Sequence, residues 1–251
     1  MLNQIHHGEP GGLPLLIVHG LYGSARNWGV IAKRLSDRGH VVTVDLRNHG
    51  DSPHKDSHSY PDMAADLAEV IGALGGKADL VGHSMGGKAA MVLALQHPEM
   101  VNRLVVGDIA PVAYSHDQTQ FIDAMQAVDL DRVTKRSDAT DQLARHVEDK
   151  TLQSFFTQSL DLGQKRWKLN LDVLKREMDK VIGFPDLTGT FEGPALFLSG
   201  ALSDYVLPEH RPVIRRHFPK ARFAKLAGAG HWLHADKPRE FEASLRAFLD
   251  A

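Results

Sequence analysis

The chain alternates short apolar runs with longer segments of helical periodicity, and this alternation limits its possible folds more than any other feature. Most of the apolar runs are hydrophobic throughout instead of alternating with polar residues, as in parallel strands that are covered on both faces. The predicted strands are Leu15 to Val18, Val41 to Asp45, Asp79 to Val81, Arg103 to Val106, Ala195 to Ser199 and Arg222 to Leu226. The pattern predicts an α/β protein with a mostly parallel central sheet.

Five segments between these strands place apolar residues at helical spacing, and several carry Pro or Gly at their ends. The predicted helices are Asn27 to Arg38, Pro61 to Leu74, Met85 to Gln96, Pro208 to Phe218 and Pro238 to Leu249. They are expected to cover the two faces of the sheet.

One long segment interrupts the alternation. Residues 112–187 contain helical patterns at Phe121 to Val128, Thr140 to Val147 and Trp167 to Met178, and no convincing strand. We interpret this segment as a helical cap inserted into a core domain that comprises residues 1–111 and 188–251.

Composition excludes several function classes. The chain of 251 residues is long enough for one large domain, and its net charge of −2 does not favour binding to nucleic acid or to anionic membranes. The chain contains no cysteine, which excludes thiolate catalysis and disulfides. No apolar run approaches the roughly 20 residues of a membrane span, and residues 1–12 do not resemble a signal peptide. A cytoplasmic protein, either a monomer or a small homo-oligomer, is expected.

The most informative motif is Gly82-His83-Ser84-Met85-Gly86, which matches the pattern G-x-S-x-G. The pattern alone is weak, but here it follows a predicted strand and opens a predicted helix, as a nucleophile elbow does. In such a turn the flanking glycines allow strand and helix to approach closely, and the hydroxyl is exposed at the helix N-terminus. Ser84 is therefore a candidate nucleophile, whereas the alternative is a simple connecting turn.

A serine that attacks a carbonyl needs hydrogen-bond donors for the resulting oxyanion, and backbone amides usually supply them. The residue after the nucleophile, Met85, provides one candidate. The loop His19 to Ser24 after the first predicted strand provides Leu21 as the other. A plain turn at the end of the strand is the alternative reading of this loop.

The serine also needs a general base, which in this chain order comes late in the sequence. His231 follows Gly228 and Gly230 on a loop that could carry the ring over the serine, so it is preferred to His234, which is interpreted as a surface or helix-capping residue. Two carboxylates could orient this histidine. Asp204 lies after one predicted strand and Asp108 after the preceding one; position alone slightly favours Asp204.

The motifs together resemble those of the α/β-hydrolase superfamily over essentially the whole chain, and most closely those of the YbfF-type small esterases. The matching segments are IVHGLYGSARNW, VDLRNHGDSPH, VGHSMGGKAAM, DIAPV and GAGHWLHADKP. This resemblance implies a cofactor-free esterase with a helical cap over its acyl pocket. It also implies that Asp108 is the acid and that a serine, here Ser203, occupies the more usual acid position, although Asp204 directly follows.

The predicted function is a serine carboxylesterase for short- to medium-chain acyl esters, with acyl thioesters as a further substrate class and with no metal. The alternatives are a lactonase, a carbon–carbon hydrolase or a perhydrolase on the same fold, or a non-catalytic receptor for small ligands. The residues expected to line the pocket, unless they are plain core, are Tyr22, Phe121, Met125, Phe155, Phe156 and Trp232.

Two further groups are interpreted as structural. Lys88 lies four residues after Ser84 and is expected to pair with a nearby acid. His49, His54 and His58 lack the regular spacing of metal ligands and are expected in a solvated loop.

Overall fold

The computed structural model describes residues 1–251 and contains nine strands and eleven α-helices, together with five short 3-10 helices. The strands are β1 Gln4–His7, β2 Leu15–Val18, β3 Val41–Val44, β4 Ala78–His83, β5 Val101–Gly107, β6 Leu160–Asp161, β7 Arg166–Trp167, β8 Ala195–Gly200 and β9 Ala221–Leu226. The helices are α1 Gly29–Leu35, α2 Tyr60–Ala73, α3 Met85–Gln96, α4 Thr119–Gln126, α5 Arg136–Leu143, α6 Lys150–Thr157, α7 Leu171–Arg176, α8 Met178–Ile182, α9 Arg211–His217, α10 Leu233–Asp236 and α11 Pro238–Leu249.

Seven strands form the central sheet, in the order β1-β3-β2-β4-β5-β8-β9. All neighbours are parallel except β1, which pairs antiparallel with β3 at one edge. β2, β3, β4 and β8 are buried at every position, because helices cover both faces. The α/β architecture predicted from the sequence is confirmed.

Successive residues of the central strands point to opposite faces of the sheet and enter two separate cores. On β2, Leu16 and Val18 join the larger core, to which α2, α3 and α9 contribute. Leu15 and Ile17 join the smaller core with α1 and α11. The elbow helix α3 therefore lies in the larger core, where ten of its residues are buried.

The segment between β5 and β8 is mainly helical and holds α4 to α8, and the larger core continues into it through residues such as Phe156 and Leu174. It also contains the two-residue strands β6 and β7, which pair antiparallel and which the sequence did not reveal. The division into core and cap domains at residues 112 and 187 stays a prediction.

Candidate active site

The candidate site is built from loops that follow the carboxyl ends of parallel strands. The loop after β2 begins at His19, Ser84 directly follows β4, and Asp108 directly follows β5. His231 lies between β9 and α10. Since β2, β4, β5, β8 and β9 are all parallel, these loops emerge at the same edge of the sheet.

Ser84 has φ +51° and ψ −122°, a backbone conformation that residues other than glycine rarely adopt. The turn is held on both sides: the Ser84 amide donates to Gly107 O at 2.9 Å, and the Lys88 amide donates to Ser84 O at 3.0 Å. Gly82 and Gly86 permit this turn because other backbone atoms lie too close to each of them for a side chain to fit. A Cβ on Gly82 would lie 2.3 Å from Gly86 O, and one on Gly86 would lie 2.4 Å from His19 O.

We expect Gly82→Ala to lower the free energy of unfolding by about 3 kcal/mol, because the added methyl meets backbone atoms that cannot rotate away. Gly72→Ala is the matched control: Gly72 lies in α2 with nothing within 4 Å, and alanine there should stabilise by up to about 1 kcal/mol. Urea unfolding of both variants measures the difference. Equal free energies of unfolding for the two variants would show that the elbow does not need glycine at residue 82.

A continuous chain of hydrogen bonds connects Ser84 with a buried carboxylate. His231 Nε2 lies 3.0 Å from Ser84 Oγ, and His231 Nδ1 lies 2.7 Å from Asp108 Oδ2. Asp108 is fully buried, and its carboxylate also accepts from the Gly200 amide at 3.0 Å and from Ser203 Oγ at 2.5 Å. With Nδ1–H donating to the carboxylate, Nε2 is free to accept the proton of Ser84.

The structure separates the two acid candidates. Asp204 is exposed and makes no hydrogen bond or ion pair, whereas Asp108 contacts the histidine directly. Ser203 contacts the same carboxylate oxygen as His231.

Two neighbours of His231 were missed by the sequence analysis: Tyr205 lies outside the motifs, and His83 occupies a variable position of the G-x-S-x-G motif. The ring of Tyr205 stacks on His231 with the centroids 4.0 Å apart. His83 Nε2 lies 2.7 Å from His231 O, and the two rings are 4.8 Å apart. Both contacts restrict the position of the imidazole.

The two candidate oxyanion donors flank the serine. A Cβ on Gly20 would lie 3.1 Å from Ser84 Cβ, so the loop after β2 lies directly against the elbow. In this loop the amide of Leu21 has no acceptor in the protein. The amide of Met85, as the first of α3, has no intrahelical acceptor. Both residues border the same cavity as Ser84.

This cavity has a volume of about 340 Å³ and is lined mostly by hydrophobic side chains. Of the six residues expected to line it, Tyr22, Phe121, Phe155, Phe156 and Trp232 do so. Met125 does not: it is fully buried in the larger core, where its carbonyl accepts from Trp167 Nε1 at 2.9 Å. That expectation is wrong because the larger core encloses the side chain of Met125, whereas Phe121, one turn earlier on α4, borders the cavity.

Three other sequence interpretations are corrected by burial. Lys88 is 1% exposed and pairs with no acid. His49 and His58 are fully buried; only His54 of that group is exposed. His234 is partly exposed and lies within α10, where it stacks on Trp28 with the centroids 4.0 Å apart and its Nδ1 is buried without a partner, so it packs against the core instead of capping a helix.

Buried histidines support the loops beside Ser84 in their neutral form. His49 Nε2 accepts from the Tyr22 amide at 3.2 Å, and His19 Nε2 accepts from the Leu46 amide at 2.9 Å. Burial lowers the pKa of both rings. Burial also lowers the pKa of His58 to about 3 and that of His234 to about 4.

These shifts predict that acid destabilises the protein. A histidine whose folded-state pKa lies below its unfolded value of 6.5 stabilises the fold above that pH, and the stabilisation is lost as the pH falls towards the folded-state pKa. At about pH 5.5, His58 and His234 should each lower the free energy of unfolding by about 1.4 kcal/mol relative to about pH 8.

Urea unfolding of the wild-type protein and of His234→Phe at both pH values measures this contribution. Phenylalanine can stack on Trp28 but cannot bind a proton, so the loss on acidification should shrink by about 1.4 kcal/mol in the variant, whatever its stability at about pH 8. An equal loss in both proteins would contradict a neutral, buried His234.

The site contains no cluster of three or more His, Cys, Asp or Glu side chains that could hold a metal ion. None of the helices combines the length and the apolar character needed to cross a bilayer.

The chain is similar to several known proteins over most of its length. The family model of the α/β-hydrolase fold matches residues 14–238. The sn-1-specific diacylglycerol lipase ABHD11 of Mus musculus is 43% identical over 249 residues, which cover 94% of this chain and 81% of that protein. Esterase YbfF of Escherichia coli is 36% identical over 251 residues, which cover 98% of this chain and 97% of that protein.

A solved structure of a marine microorganism esterase superimposes with a TM-score of 0.93, at 38% identity and with 98% of both chains covered. The resemblance to YbfF-type esterases inferred from the motifs is thereby confirmed. The chain belongs to the α/β-hydrolase fold family.

Proposed function

We propose that this protein is a serine carboxylesterase that hydrolyses short- to medium-chain acyl esters, and also acyl thioesters, through an acyl-enzyme intermediate. The chain is similar to esterases and to a lipase, so it is an ester-hydrolysing enzyme of the esterase and lipase kind. The observation that carries the serine mechanism is the hydrogen-bonded series Ser84, His231 and Asp108 at the wall of an apolar cavity.

In the proposed reaction, Ser84 Oγ attacks the ester carbonyl while its proton passes to His231 Nε2. The Leu21 and Met85 amides donate to the oxyanion of the tetrahedral intermediate. Collapse of the intermediate breaks the bond to the leaving alcohol or thiol, which receives the proton from His231. Water then attacks the acyl-enzyme, with His231 again accepting and returning a proton, and the carboxylic acid is released.

Asp108 has two roles in this scheme. It accepts from Nδ1–H and so fixes the tautomer in which Nε2 can act as a base, and its charge stabilises the imidazolium that forms. Since the carboxylate is fully buried and also accepts from Gly200 and Ser203, it is held in one orientation.

The cavity supports the proposed range of acyl groups. Its volume of about 340 Å³ falls at the lower end of the range of ligand pockets, and aromatic side chains such as Tyr22, Phe155 and Phe156 enclose it. An acyl chain of modest length would bury its methylenes against these rings. Because one relative is a diacylglycerol lipase, diacylglycerols belong among the substrates to be tested.

The alternatives share much of this machinery. Lactonase, carbon–carbon hydrolase and perhydrolase activities would use the same serine and base. A non-catalytic receptor would not need a base, an acid and two free amides around one hydroxyl. The cytoplasmic location, the absence of a nucleic-acid partner, and the monomer or small homo-oligomer stay predictions from the sequence.

The test is a substrate panel: p-nitrophenyl esters of increasing acyl length, acyl-CoA thioesters, a diacylglycerol and a lactone. Activity should be highest on esters of up to medium length, and rapid quenching should trap a protein whose mass has increased by one acyl group at Ser84. Hydrolysis without any such adduct, measured on an ester whose deacylation is slower than its acylation, would exclude the covalent mechanism. No hydrolysis across the panel would favour the receptor.

A further inference from the structure

Lys88 is a buried cation in the wall of the cavity that holds Ser84. It lies on α3, one turn after the serine, and only 1% of its surface is exposed. Residues at this spacing on a helix have Cβ atoms about 5–6 Å apart. The mechanism proposed above gives this side chain no role.

The charge of Lys88 is not neutralised by the protein. No carboxylate lies within 4.0 Å of its Nζ, which instead donates to Ile182 O at 2.9 Å and to Gly183 O at 2.5 Å. An ammonium has three N–H donors, so one of them is left without a partner in the protein. Burial without a counter-ion lowers the pKa of Lys88 to about 7.

The aromatic neighbours of Lys88 do not supply the missing acceptor. Nζ lies 5.6 Å from the ring centroid of Tyr60 and 4.8 Å from that of Tyr114. Tyr60 donates its hydroxyl proton to Val181 O, and Tyr114 donates its own to Tyr205 O. These rings stabilise a cation through their faces, and neither hydroxyl oxygen accepts a hydrogen bond from Nζ, whose acceptors are Ile182 O and Gly183 O.

A purely structural role accounts for only part of this arrangement. The two carbonyls lie at the C-terminal end of α8, and a lysine there ties the helical segment to the core. That role does not require Lys88 to border the cavity or to keep an unused donor. A buried ammonium that lacks a counter-ion is costly by itself and becomes favourable when a ligand brings one.

We propose that Lys88 is a specificity residue that binds a carboxylate carried by the acyl group of the substrate, so that the enzyme prefers half-esters of short dicarboxylic acids to esters of monocarboxylic acids of equal length. The inference rests on the proposed function. The acyl group is assigned to Lys88 because it remains attached to Ser84, which borders the same cavity as Lys88, whereas the alcohol must leave. The best acyl length is measured in the test, which covers chains of four to six carbons.

The test compares monomethyl esters of succinic, glutaric and adipic acids with methyl butyrate, pentanoate and hexanoate, with methanol release measured at about pH 6. For each length, the result is the ratio of kcat/KM for the half-ester to kcat/KM for the neutral ester. This ratio should exceed one at the acyl length that fits best. In Lys88→Met this ratio should fall by about 10- to 100-fold, as expected for the loss of a charge-assisted hydrogen bond. Lys88→Arg should restore part of it.

The neutral esters separate the possible failures. If Lys88 only ties the helical segment to the core, Lys88→Met lowers kcat/KM for both ester types equally, the ratio does not change, and the inference is overturned while the esterase proposal stands. Failure of the wild-type enzyme to hydrolyse any ester would instead overturn the proposed function.

A measurement on the wild-type protein alone guards against misfolding of the variant. The monoamides of glutaric and adipic acids, which keep one free carboxylate, should inhibit hydrolysis of a neutral ester at least about 10-fold more strongly than the neutral pentanamide and hexanamide. Equal inhibition by the charged and the neutral amides would contradict the inference.

Discussion

Replacement of Ser84 by alanine is expected to lower kcat/KM for acyl esters by about 10⁴- to 10⁶-fold, because no other hydroxyl lies within hydrogen-bond distance of His231 Nε2. The fold should persist. Ser84 Oγ makes no capping hydrogen bond to α3, and its contact with His231 is the only one that the hydroxyl makes. Both serine and alanine carry a Cβ, so the substitution leaves the strain of the backbone at φ +51° nearly unchanged.

The measurement is turnover of p-nitrophenyl butyrate by equal amounts of wild-type and Ser84→Ala protein, with circular dichroism to verify folding. Ser244→Ala is the control. That serine is partly exposed on α11 and donates to Glu240 O, far from the residues around Ser84, so its loss should change turnover by less than about twofold. If Ser84→Ala retained a tenth of wild-type turnover, the covalent mechanism would be excluded.

The elbow could be predicted from the sequence because every requirement for it is local. A buried strand, a glycine on each side of the serine and a helix that follows are all visible within residues 78–96, and α3 begins and ends where the pattern places it. His231 could be proposed for a similar reason, since two glycines precede it on a late loop. Strands that are buried at every position and consist mostly of apolar residues were also located to within a few residues.

Features that depend on distant neighbours could not be predicted. Edge strand β1 contains Gln4, His6 and His7, and nothing in that segment indicates that β3 lies beside it. His49 and His58 look like residues of a polar loop, but both are fully buried, and His58 Nε2 lies 3.4 Å from Met85 Sδ. Burial of Lys88 likewise depends on carbonyls 94 and 95 residues away.

The choice of acid shows the same limit. Asp108 and Asp204 follow adjacent parallel strands, so their positions in the sequence place both at the edge where His231 lies. What separates them is conformation. Asp108 adopts φ +50° and lies fully buried beneath the histidine, whereas Asp204 is exposed.

These two residues form a matched pair for the second large effect. Asp108→Asn should lower kcat by about 10⁴-fold. If the asparagine NH₂ replaces Oδ2, it faces Nδ1, which must then accept; the ring proton moves to Nε2, and His231 can no longer take the proton of Ser84. If instead the NH₂ replaces Oδ1, it faces the Gly200 amide, and two donors oppose each other in a buried site.

Asp204→Asn carries the same change of charge at an exposed position that contacts neither His231 nor Ser84, so its kcat should stay within about twofold of wild type. Both variants are assayed on one ester, with their unfolding transitions compared to exclude loss of fold. A near-normal rate for Asp108→Asn together with a large loss for Asp204→Asn would mean that the loop after β8 rearranges during catalysis to bring Asp204 to the histidine. The buried bonds of Asp108 to Gly200 and Ser203 oppose that rearrangement, because the same loop would have to abandon both of them.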